Sequence, residues 1–118
     1  MRAPLALLVV VAVLAGCGGD DDGGAASSAA CADDAVVIKM ADIKFDPETA
    51  SATTGQSICW VNEDSVDHNA VANSGASFKS ALFGKGKTFT TKVDTAGTVK
   101  YECTVHPGMT GEIDVKSR

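Results

Sequence analysis

Between Cys103 and Met109 the chain spaces a thiol, an imidazole and a thioether three residues apart, in the run Tyr101-Glu102-Cys103-Thr104-Val105-His106-Pro107-Gly108-Met109. Only two histidines are present, and the other, His68, lies far upstream. A thiolate, two imidazoles and a thioether form a soft-to-intermediate donor set. The metal that prefers it is copper, held by two His and one Cys in a trigonal plane with a long axial Met. A strand end followed by a tight Pro107-Gly108 turn can aim Cys103, His106 and Met109 into one small volume. His68 then has to arrive from a neighbouring strand. Taken alone, this spacing also fits a buried cysteine, a solvated histidine and a core methionine. A leftover thiol, the lack of a third histidine and an exported context weigh against that reading.

The exported context comes from the N-terminus. Met1-Arg2 gives a short positive start, and Ala3 to Leu14 is apolar apart from Pro4. This is the pattern of a signal peptide, residues 1–16, and it is shorter than the roughly 20 apolar residues that a spanning helix needs. Leu14-Ala15-Gly16-Cys17 resembles the bacterial lipobox, which implies that Cys17 is acylated and becomes the new N-terminus. Several acyl chains on one residue meet the two-signal requirement for durable anchoring. The following block, up to Ala30, holds only Gly, Asp, Ala and Ser. Such a segment cannot bury enough apolar surface to offset its ordering entropy. Residues 17–30 therefore read as a lipidated cysteine plus a flexible tether with a reach of about 20 Å, and 31–118 as the folded domain. The expected location is the outer face of a bacterial cytoplasmic membrane, or the periplasm.

With Cys17 claimed by lipid, Cys31, Cys59 and Cys103 remain, and one of them must stay unpaired. Export favours disulfide formation, and any two of the three could join. Cys103 alone has an imidazole and a thioether close by in sequence, so the expectation is a Cys31–Cys59 disulfide and a free thiol at Cys103.

The elements that must position these residues are short strands. No stretch of the domain keeps a helical apolar period, and the aromatic share is only 5%, so the core must come from Val, Ile and Ala. Strands are expected at 36–40, 43–45, 57–62, 88–93, 98–103 and 111–115, with loop and one or two more strands between Asn62 and Lys87. Pro47 puts the second strand at a sheet edge or a bend. About seven strands in so short a domain point to an all-β, two-sheet sandwich. Ile58, Trp60 and Asn62 share one parity, and Trp60 and Met40 read as core. Lys85 and Lys87 read as a charged turn.

The net charge of −5 lacks the basic footprint that nucleic-acid binding requires, so DNA and RNA are not expected partners. Glu63, Asp64 and Asp67 lie close to His68 and read either as an ordinary solvated acidic loop or as steering charges for a basic partner.

The segment Cys103-x-x-His106-x-x-Met109 resembles the copper loop of the cupredoxin family, in the short spacing found in amicyanin. The likeness extends upstream through Phe45-x-Pro47 and Gly55-x-x-Ile58-x-Trp60-x-Asn62-x-Asp64-x-x-x-His68-Asn69. Downstream it includes Gly86-x-x-Phe89, Ala96-Gly97-Thr98, Tyr101-x-Cys103 and Met109-x-Gly111-x-Ile113-x-Val115. It covers roughly residues 36–116. The resemblance implies a Greek-key sandwich holding one type 1 copper, with His68, Cys103 and His106 in the plane and Met109 axial. It also implies a hydrogen bond to the Cys103 sulfur from Asn69, the residue after the first histidine.

Amicyanin-like loops usually carry proline just before the second histidine, where this chain has Val105. Valine keeps its N–H, and a second hydrogen bond to sulfur would favour Cu(I), so Val105→Pro is expected to lower the potential. The function implied is that of a monomeric, envelope-anchored carrier passing single electrons between protein redox partners, with His106 as the solvent-edge port. Copper carriage or storage is the alternative. An enzyme is not expected. A Cys/His hydrolase would need a separate orienting acid, and copper oxidase chemistry would need further histidines.

Overall fold

The computed structural model describes residues 30–118. The signal peptide, Cys17 and all of the tether before residue 30 lie outside the described residues. Eight strands follow one another: β1 Val36–Ala41, β2 Lys44–Asp46, β3 Thr49–Thr53, β4 Ser57–Asn62, β5 Val71–Ser74, β6 Thr88–Lys92, β7 Gly97–Glu102 and β8 Thr110–Lys116. They build two four-stranded sheets, ordered β2-β1-β4-β6 and β3-β8-β7-β5. Both sheets are mixed, because β1 runs parallel to β4 and β3 parallel to β8 while the other pairings are antiparallel.

The expected two-sheet, all-β sandwich is what forms, with one strand more than the sequence pattern suggested. The additional strand is β3, Thr-Ala-Ser-Ala-Thr. Its inward residues are Ala50 and Ala52, too small to mark an apolar alternation, and its place comes from pairing with β8. Between Asn62 and Lys87 the only full strand is β5, joined by isolated bridges between His68 and Phe83 and between Val71 and Lys79. β2 is an edge strand, and Pro47 follows it through a cis peptide bond.

Strand side chains alternate between faces, so each sheet contributes every second residue to one core. Ile38, Met40, Ile58 and Trp60 come from the first sheet, and Val99, Tyr101, Ile113 and Val115 from the second, all buried in one cluster. Trp60 sits at the centre, edge-on to Tyr101 with ring centroids 5.3 Å apart and tilted against Phe89 at 5.6 Å. Tyr101 faces Gly111 across the β7–β8 ladder, and a Cβ on Gly111 would run into the Tyr101 ring. Glycine is needed there so that an aromatic ring can lie against the opposite backbone.

Cys59 has the opposite parity to Ile58 and Trp60 and lies outside the core cluster, yet it is fully buried. The expected disulfide to Cys31 brings the N-terminal segment against it. Gln56 fastens the same segment by donating from Nε2 to the Asp34 carbonyl at 3.1 Å. Cys103 is free and buried.

Candidate metal centre

The β7–β8 connection is a hairpin loop whose ladder runs one pair past the strand ends. The Cys103 N–H donates to the Met109 carbonyl at 3.0 Å, and the Met109 N–H donates to the His106 carbonyl at 3.1 Å. Residues 104–108 form the loop proper, and Gly108 takes the left-handed φ of 86° that lets it close. The spacing of thiol, imidazole and thioether follows from this geometry. Cys103 and Met109 face each other at the loop base, both buried, and half-buried His106 sits near its tip.

His68 enters from the β4–β5 connection, which crosses from the first sheet to the second. Its backbone is pinned by two hydrogen bonds with Phe83, His68 N–H to Phe83 carbonyl at 3.1 Å and Phe83 N–H to His68 carbonyl at 2.9 Å. Upstream, the fully buried Asn62 shapes the turn. Its Nδ2 donates to the carbonyls of Val66 and Phe83, both at 2.9 Å, and its Oδ1 accepts the Asp64 N–H at 2.8 Å. Every hydrogen of that amide is used, as a buried polar side chain requires.

The two connections meet at one end of the sandwich. The Cys103 Sγ lies 3.4 Å from His106 Nδ1 and 3.7 Å from His68 Nδ1, and the two Nδ1 atoms are 3.1 Å apart. All three potential donor atoms lie within 4.8 Å of one another. The imidazole planes meet at 62°, and both rings turn Nδ1 toward the thiol. A free thiol, two imidazoles turned inward by the same nitrogen and a buried thioether sulfur on the adjoining strand end suit copper.

Asn69 and Thr104 lock the connections together. The Asn69 Nδ2 donates to Thr104 Oγ1, and Asn69 Oδ1 accepts the Thr104 N–H, each at 2.8 Å. Sequence reasoning singled out Asn69 as a hydrogen-bond donor to the Cys103 sulfur and missed this side-chain pair, whose only signal is that each residue directly follows a candidate ligand. Among the described residues, neither Asn69 nor Val105 donates a hydrogen bond from its backbone to the Cys103 sulfur. The sulfur's near polar neighbours are instead the two Nδ1 atoms, and the Val105 side chain faces solvent, 47% exposed.

The acidic residues before His68 divide. Glu63 is exposed and makes a loose 3.9 Å ion pair with Lys39. Asp64 turns inward, its Oδ2 2.8 Å from His68 Nε2. Partial burial works to raise the Asp64 pKa, but hydrogen bonds from the Ile43 N–H, His68 and the Asp42 N–H outweigh it and hold the carboxyl below its ordinary value. Sequence reasoning read Asp64 as part of a solvated acidic loop or a steering charge and missed this contact, because residues 63–67 form a loop with no helical period to bring positions four apart together.

A family model described as copper binding proteins of the plastocyanin/azurin family matches residues 32–116. The chain belongs to this family of cupredoxins. This cupredoxin is 29% identical over 86 residues to amicyanin of Paracoccus denitrificans, a match covering 70% of this chain and 66% of that relative. It is 34% identical over 84 residues to plastocyanin of Scenedesmus fuscus, covering 61% of this chain and 86% of the relative. Among solved structures it matches a methionine-to-glutamine mutant of amicyanin in its Cu(I) form with a TM-score of 0.73 at 26% identity, over 80% of this chain and 94% of the other. A reduced tryptophan-to-tyrosine mutant of amicyanin matches with a TM-score of 0.70 at 28% identity, over 76% and 90%. The cupredoxin is thus a copper-binding protein, and His68, Cys103 and His106 form the cluster able to hold the ion.

Proposed function

We propose that this cupredoxin is an exported, lipid-anchored type 1 copper protein that carries single electrons between protein redox partners. His68, Cys103 and His106 would serve as the principal ligands of the ion, with Met109 as a weaker fourth donor. The observation that carries the reading is the convergence of one free thiol and two imidazole Nδ1 atoms within 4.8 Å, from two connections already tied together by Asn69 and Thr104. Bound copper supplies a one-electron Cu(II)/Cu(I) couple. The chain's contribution is to hold its donors in one arrangement for both states, so that little reorganises when an electron moves. The disulfide suits an oxidising compartment, and the acyl group on Cys17 is assigned from the Leu14-Ala15-Gly16-Cys17 signal.

His106 is the port for electrons, being the more exposed of the two imidazoles. Among the described residues, four of the five exposed large apolar side chains, Ile43, Val66, Leu82 and Val105, belong to segments that surround the donor cluster. A redox partner docking there excludes water over His106. The test is an optical and EPR titration with Cu(II), followed by voltammetry. One equivalent should give an intense thiolate-to-Cu(II) band and a reversible wave, with the band lost in Cys103→Ser and kept in Cys59→Ser. A colourless site that hands copper to an acceptor chelator would instead establish carriage.

A further inference from the structure

Asp64 is held more firmly than a loop carboxylate needs to be. Its Oδ1 accepts the Asp42 N–H at 2.8 Å, and its Oδ2 accepts the Ile43 N–H at 2.9 Å while lying 2.8 Å from His68 Nε2. Its own N–H is fixed by Asn62. Asp42 and Ile43 form the two-residue turn between β1 and β2, and both are left-handed, with φ of 53° and 56°. That conformation is strained for a β-branched residue such as isoleucine, and it persists only where the surroundings over-determine it. Here it presents two successive amides to one carboxylate, as backbone nests do for anions. The turn, the carboxylate and the buried imidazole therefore form one relay from β1–β2 to the metal centre.

We propose that Asp64 is a positioning residue for the copper centre: bound by the Asp42–Ile43 turn, its carboxylate fixes the His68 tautomer and ring direction and biases the site toward Cu(II). The proposal rests on His68 being a copper ligand. An ionised carboxylate only accepts hydrogen bonds, and two amides already donate to it. The imidazole nitrogen facing it must then carry the hydrogen, which leaves Nδ1 bare toward Cys103 and His106. A negative charge one ring away makes the imidazole a better donor, which stabilises the more highly charged metal state.

Asp64→Asn in the full chain tests this, because asparagine brings one oxygen to three donors and no charge. Cu(II) affinity should fall by about 10- to 100-fold, Cu(I) affinity should fall less, and the reduction potential should therefore rise. Asp64→Glu should recover part of both. Glu63→Gln, which removes an equal charge from an exposed neighbour, should leave the potential in place. An Asp64→Asn protein with unchanged Cu(II) affinity and potential overturns the assignment, as does a Glu63→Gln shift of equal size. Nitrogen-15 shifts of the copper-free protein give a readout independent of the metal. They should show His68 protonated at Nε2 in the natural chain and a tautomer mixture in Asp64→Asn. His68 carrying its hydrogen on Nδ1 in the natural chain overturns the proposal. If the natural chain forms no thiolate–Cu(II) band, the ligand reading fails separately, and the tautomer measurement still decides the role of Asp64.

Discussion

The two connections that build the metal centre are held by different means. The β4–β5 side is cross-braced around a fully buried ligand: Asn62 binds three backbone groups, Phe83 pins His68 on both its N–H and its carbonyl, and Asp64 grips the ring from behind. The β7–β8 side is a short hairpin loop held by its own ladder and by Thr104, with Val105, Pro107 and Gly108 open to solvent. One side fixes a ligand by fold-wide packing, the other by loop length. Partners can then meet the exposed loop without disturbing the buried ligand.

Removing the disulfide gives the largest expected effect, and it lies outside the comparison. Serine at both Cys31 and Cys59 should cost about 3–4 kcal/mol by denaturant unfolding, from the 28-residue separation it closes, while sparing the copper spectrum. A lost spectrum would mean that the sheet's outer cover also positions His68. Asn62→Ala strikes the braced side: it leaves the Val66 carbonyl and the Asp64 N–H without their partner and the Phe83 carbonyl with the His68 N–H alone. A loss on the order of 3 kcal/mol is expected, together with weaker Cu(II) binding in the same titration. Asn69→Ala cuts the tie between the sides and should cost about 1–2 kcal/mol. Its sharper signature is faster amide hydrogen exchange in residues 104–108 with residues 62–68 unchanged. Equal acceleration on both sides would erase the distinction. Val105→Asp should change stability least, within about 0.5 kcal/mol. It should leave the copper band in place and slow electron exchange with a protein partner. An unchanged rate would remove the open loop from the docking surface.

Much of the sandwich was legible because apolar parity marks strands that bury large side chains: β1, β4, β7 and β8 follow the alternation of Ile38 and Met40, Ile58 and Trp60, Val99 and Tyr101, and Ile113 and Val115. β3 was not legible, because alanine buried on one face and threonine or serine on the other carry almost no hydropathy contrast. The loop cluster of Cys103, His106 and Met109 could be read because a hairpin keeps its ligands near in sequence. His68 could be named because the chain has so few histidines, but not which of its nitrogens faces inward or what stands behind it.

The sequence by itself determined the donor types, the loop length between Cys103 and Met109 and the period-two strands, all of which depend on residue identity over short distances. Tertiary structure alone decided that Asn69 reaches Thr104 and that Asp64 leaves the solvent-facing acidic run to join a left-handed turn 21 residues upstream to the back of His68. Such contacts depend on which strands become neighbours, and that follows from burying one shared core. No local pattern of residues records it.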